Sequence, residues 1–107
     1  MNYLEQAEKA MNYLAESEES FANLKAQHQA LKERIKIEKA SLIMESPESS
    51  QAGKVAWAEA NIAYLNAVSD WESCMADFYL VEAKRKRAEL SIEMFRSVNS
   101  AQKKGNI

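Results

Sequence analysis

Cysteine, proline and glycine are almost missing from this chain of 107 residues, which holds one cysteine, one proline and two glycines. Cys74 alone cannot build a disulfide framework within the chain, and nothing around it resembles a zinc ligand set. The chain therefore reads as intracellular, and the cytoplasm is the expected location. With glycine only at positions 53 and 105, no glycine-rich phosphate loop exists. No stretch approaches the roughly 20 apolar residues of a membrane span. The opening Met1-Asn2-Tyr3-Leu4-Glu5-Gln6 lacks the basic-then-apolar order of a signal peptide, so no membrane partner is expected.

Alanine is abundant. It supplies 17 of the residues behind the 47% hydrophobic content, and it is the strongest helix former. The composition points to an all-α protein. At this size one small domain is expected, with a modest buried fraction, so a deep catalytic cavity is not. Charged residues make up 28% and the net charge is -2.

Two seven-residue ladders organise the chain. Ala7, Leu14, Phe21, His28, Ile35 and Leu42 form the first; Trp57, Tyr64, Trp71, Phe78 and Ile92 form the second, with Arg85 in its gap. Apolar residues at this spacing form the seam of a coiled coil. Ala10, Ser17, Leu24, Leu31 and Glu38 take the accompanying positions of the first ladder, an apolar but thin seam that needs a partner helix. Between the ladders lies Ser46-Pro47-Glu48-Ser49-Ser50-Gln51-Ala52-Gly53. The expected fold is two long antiparallel helices forming a coiled-coil helical hairpin, assembled into an oligomeric bundle. The boundaries are a helix over about 3–44, a loop over about 45–53, a helix over about 54–100 and a short basic tail over 101–107. Ser46 followed by Pro47 is a good helix-start pair, while Gly53 places the settled second helix from about Lys54.

Antiparallel partners keep a constant sum of residue numbers. A sum of about 102 sets Leu14 against Ala88, Leu24 against Phe78, Ile35 against Ala67 and Leu42 against Ala60, so large meets small in most layers. A sum of about 99 centres the turn almost as well. Either register leaves apolar residues off the seam: Ile37, Ile43, Met44, Val55, Ile62, Leu65, Tyr79 and Leu80. Exposed apolar patches mark contacts, so a homo-oligomer is expected, joined through the loop-proximal half with Ile37, Ile43, Met44, Val55, Ile62, Leu65 and Tyr79 at its interface.

No catalytic residue is expected, and the chain is read as not an enzyme. His28 and Cys74 share a layer in the preferred register, the skeleton of a thiol nucleophile, but a sealed seam admits no substrate and no third group orients them. A small thiol and an imidazole filling one core layer is the simpler account. The single histidine has no glutamate three or four residues away, so the motif of helix-borne di-metal sites is missing. No metal and no cofactor are expected.

The cations are more suggestive. Lys25, Lys32 and Lys39 repeat at the heptad step on one flank, Arg34 and Lys36 sit close by, and Lys54 enters across the loop. Such a line can track a phosphodiester backbone, although a solvated coiled-coil flank explains charge of this kind as well. A second cluster, Lys84-Arg85-Lys86-Arg87, would lie beside Glu5, Glu8, Glu16, Glu18 and Glu19 of the other helix, so intramolecular pairing is expected there. Four successive cations point around the whole helix, which turns some outward. Lys84, Lys86 and Arg87 join the candidate nucleic-acid contacts. Trp57, Tyr64 and Trp71 could stack on bases, but their heptad spacing places them in the core.

Laid out this way, the chain resembles small helical proteins from phage recombination regions, of the T-even recombination-mediator type. The matching stretches are Lys36-Ile37-Glu38-Lys39-Ala40-Ser41-Leu42-Ile43-Met44 and, at the end of the aromatic-rich helix, Ile92-Glu93-Met94-Phe95-Arg96-Ser97. The family's Lys-Ala-Arg-Leu motif reads here Lys39-Ala40-Ser41-Leu42, with serine in place of the arginine. The resemblance covers about residues 23–101 and implies an accessory protein of homologous recombination. Such a protein binds single-stranded DNA as an oligomer in the host cytoplasm and assists a recombinase, an annealing protein or a single-strand-binding protein. Two other classes fit the same residues. One is a protein-binding helical adaptor or inhibitor working through the exposed apolar face without nucleic acid. The other is a purely structural coiled-coil spacer.

Overall fold

The computed structural model describes residues 2–105. Three helices account for nearly all of them, and no described residue lies in a strand: α1 Tyr3–Glu45, α2 Gln51–Glu59 and α3 Ile62–Gly105. Contacts divide the chain into two compact units. Unit 1 joins Met1–Ala22 to Tyr79–Ile107, and unit 2 is Asn23–Phe78.

Each helix begins where a side chain can take up free backbone donors. Asn2 starts α1, its Oδ1 accepting from the Leu4 amide at 2.9 Å and its carbonyl from the Gln6 amide at 3.1 Å. The helix stops at Glu45 because Pro47 disfavours helical backbone at Ser46. Ser46 does not start the second helix, as its pairing with proline suggested. Its Oγ accepts instead from the Glu48 amide at 3.2 Å, holding a local turn.

The cap of α2 is Ser50, in extended backbone, whose Oγ accepts from the Gly53 amide at 3.0 Å. Gly53 therefore lies in the first turn rather than ending the loop, which contracts from the expected 45–53 to residues 46–50. A Cβ on Gly53 would stand 2.9 Å from Ser50 Oγ and 3.2 Å from Glu48 Cβ. Glycine is what lets the cap close.

The expected helix over 54–100 is interrupted at Ala60 and Asn61. There the Asn61 amide reaches back three residues to the Ala58 carbonyl at 3.1 Å, tightening the end of α2. Asn61 then caps α3, its Oδ1 accepting from the Ala63 amide at 2.9 Å and its carbonyl from the Leu65 amide at 3.1 Å. At its other end α3 takes in Lys103 and Lys104, which lie in its last turn. Cations there complement the carbonyl end of the helix dipole, so residues 101–105 are helix rather than tail. Asn106 and Ile107 lie outside the described residues.

Every member of the first ladder and its accompanying positions is buried or half-buried. In α3 the buried positions are Ala67, Cys74, Phe78 and Ala88, and Tyr64, Trp71, Arg85 and Ile92 are half-buried. The phase changes across the break. Ala60, expected against Leu42, is exposed, while Ala58 is fully buried. Ending α2 and restarting α3 resets which face of the helix points inward.

Candidate binding surfaces

Unit 2 places an aromatic stack around the single histidine. The His28 ring stacks on Phe78 with centroids 5.2 Å apart at 17°, and lies 5.7 Å from Trp71 at 33°. Trp71 and Phe78 are one heptad apart, so the imidazole fills the layer between them. The thiol of buried Cys74 is directed 4.0 Å from the Leu24 carbonyl. A weak donor resting on a backbone acceptor behaves as core.

The cations predicted to touch nucleic acid divide into two groups. Arg34 stands 4.0 Å from Asp70, Lys36 3.3 Å from Glu33, Lys39 2.9 Å from Glu59 and Lys86 3.6 Å from Glu82. Glu59, by hydrogen bond and by charge, holds the Lys39 ammonium above the ordinary lysine value. These four are already partnered with carboxylates, three of them in unit 2. Lys25 and Lys32 are exposed, and among the described residues neither forms an ion pair. Lys54 is half-buried.

In unit 1 the cluster Lys84-Arg85-Lys86-Arg87 does not pair with the glutamates of α1, as was expected. Among the described residues its one ion pair is Lys86 with Glu82, a turn earlier on the same helix. Arg85 turns inward because it occupies the ladder position. Its Nη1 donates to the Leu14 carbonyl at 3.0 Å and to Ser17 Oγ at 2.6 Å, and the guanidinium lies 5.0 Å from the centre of the Phe21 ring. Lys84 and Arg87 instead line an open groove of about 490 Å³ with Gln6, Lys9, Ala10, Tyr13, Ala88 and Ser91. Sequence reading missed Lys9 and Tyr13 in this setting. The register with a sum of 102 sets Lys9 against Glu93 and Tyr13 against Glu89, which gave no signal of this grouping.

The residues predicted for an oligomer interface include the most exposed large apolar side chains of unit 2. Met44 is 87% exposed, Ile37 and Ile62 69% each and Leu65 48%. Ile43 and Val55 are half-buried, and Tyr79, in unit 1, is 53% exposed. Leu90 and Met94 add further exposed apolar side chains to unit 1.

Among the described residues no group of three or more histidine, cysteine, aspartate or glutamate side chains could hold a metal ion. No helix there is long and apolar enough to cross a membrane. No protein-family model, curated protein or solved structure matches the chain.

Proposed function

We propose that this chain is a non-enzymatic helical protein that forms an antiparallel coiled-coil hairpin. It joins copies of itself, and through them other proteins, by the apolar residues of unit 2. The observation that carries this reading is the exposure of Ile37 and Met44 at 69% and 87%. They are one heptad apart on α1, so the step that builds the seam is repeated on a flank the chain leaves uncovered. Burying one such side chain is worth about 1.5–3 kcal/mol, and a second copy presenting the same stripe offers a self-complementary cover.

Light scattering tests this reading. The wild-type protein is expected as a dimer or larger, and Ile37→Glu with Met44→Glu as a monomer of unchanged helicity. A monomeric wild type at all concentrations rejects it.

The exposure of Lys25 and Lys32 favours a second reading, single-stranded DNA binding in phage-type recombination alongside a recombinase or single-strand-binding protein. Two phosphate contacts contribute a salt slope of only about -1.4 on single strands, so measurable affinity would require several copies acting together. A labelled oligonucleotide should bind in a salt-dependent way and lose affinity with Lys25→Gln and Lys32→Gln together. Absence of binding at low ionic strength rejects the DNA reading and leaves the assembly reading intact.

A further inference from the structure

We infer that the groove of unit 1 is a docking site for an acidic amphipathic helix of a partner protein. Its walls are α1 and α3, and its floor is made of small side chains: Ala10 and Ala88, buried to 7% and 8% exposure, with the half-buried Tyr13 beside them. Methyl-sized residues between two helices let a third helix approach closely, and an apolar stripe laid into such a groove is a recurring mode of peptide recognition.

The rim specifies the charge of the occupant. Lys9, Lys84 and Arg87 are exposed, and none of them forms an ion pair among the described residues. Lys86 of the same cluster, outside the groove, is met by Glu82 at 3.6 Å. The cations that face the groove are therefore those left for a partner. Lys84 and Arg87 are one turn apart on one wall and Lys9 lies on the other, so carboxylates flanking an apolar stripe meet a cation on each side. Gln6 and Ser91 add neutral hydrogen-bonding groups at the rim.

A nucleic-acid strand fits this groove less well. Its floor is methyl groups rather than a row of aromatic platforms, three cations neutralise few phosphates, and the chain's net charge of -2 opposes a polyanion. The groove shares no residue with the apolar set of unit 2 on which the assembly reading rests.

The test uses the full-length protein and a fluorescent synthetic peptide of three identical heptads, with leucine at the seam positions and glutamate on both flanks. A peptide with lysine in place of glutamate and a labelled oligothymidine serve as comparisons. The glutamate peptide is expected to bind saturably, about tenfold more weakly to Lys84→Glu with Arg87→Glu, and the lysine peptide not at all. Ser91→Trp, which covers the groove from its half-buried rim without touching the charges, should block the peptide while leaving helicity unchanged by circular dichroism. Equal binding of the two peptides, or unchanged affinity in both variants, overturns the proposal. Oligothymidine binding that is lost on the charge reversal, with no peptide binding, also overturns it and assigns the groove to nucleic acid.

Discussion

Arg85 donates to the main-chain carbonyl of Leu14 at 3.0 Å, placing a cation where the second ladder calls for an apolar side chain. The same nitrogen reaches Ser17 Oγ at 2.6 Å, and that hydroxyl in turn donates to the Tyr13 carbonyl at 2.6 Å. Both acceptors keep other partners if the guanidinium leaves: Leu14 has its helical hydrogen bond and Ser17 its contact with Tyr13. Arg85→Leu is therefore expected to be neutral or to stabilise by about 1 kcal/mol, since burying a charge costs more than filling the layer with hydrocarbon. Arg85→Ala, which also loses the packed stem, should cost about 1–2 kcal/mol. Urea denaturation at fixed protein concentration distinguishes the two, and a Leu variant as unstable as the Ala variant would contradict this account.

At the start of α2, Gly53→Ala should not give the stabilisation of up to about 1 kcal/mol that alanine ordinarily provides in a helix. The new methyl would sit 2.9 Å from the Oγ that caps the Gly53 amide. Ser50→Ala removes that cap at a cost of about 1 kcal/mol. In the Ser50→Ala background the 2.9 Å contact is gone and the tightest one left is Glu48 Cβ at 3.2 Å, so Gly53→Ala costs less there than in wild type. Thermal melts of the single and double variants form a cycle, and strict additivity would show that the two residues are not coupled.

Phe78 is 8% exposed and stacked on His28, whereas Leu90 is 67% exposed. Phe78→Ala is expected to cost about 3–5 kcal/mol through lost contacts and the cavity left behind. Leu90→Ala should stay within about 0.5 kcal/mol of wild type. Chemical denaturation gives both values.

The pair of Lys39 with Glu59 predicts a dependence on alkaline pH. The lysine is raised above its ordinary value of 10.5 by the Glu59 hydrogen bond and charge. A folded-state value above the unfolded one stabilises below the unfolded value, and this is lost as pH rises through the folded value. Wild type should therefore lose stability above about pH 10.5 relative to Lys39→Met, with the two curves parallel between pH 7 and pH 9. Denaturation midpoints from neutral pH to above about pH 10.5 check the sign.

The helical class could be read from residue order alone, because a chain rich in alanine and nearly without glycine or proline has few other ways to satisfy its backbone. So could the inward positions of α1, from Ala7 to Leu42, since a heptad step puts those side chains on one face wherever the helix lies. The break at Asn61 could have been suspected. Asparagine is a poor helix-interior residue and a good cap, but no glutamate follows at the third helical position to mark a capping box.

What tertiary structure decided is how each cation is spent. Lys39 and Arg34 are drawn to carboxylates on other helices, Arg85 is turned inward onto α1, and Lys9, Lys84 and Arg87 are left facing one groove. Sequence by itself set the periodicity, because helical geometry is a local property of the chain. Pairing of long flexible side chains depends on which atoms come within a few ångströms across helices. That distance exists only once the helices have packed.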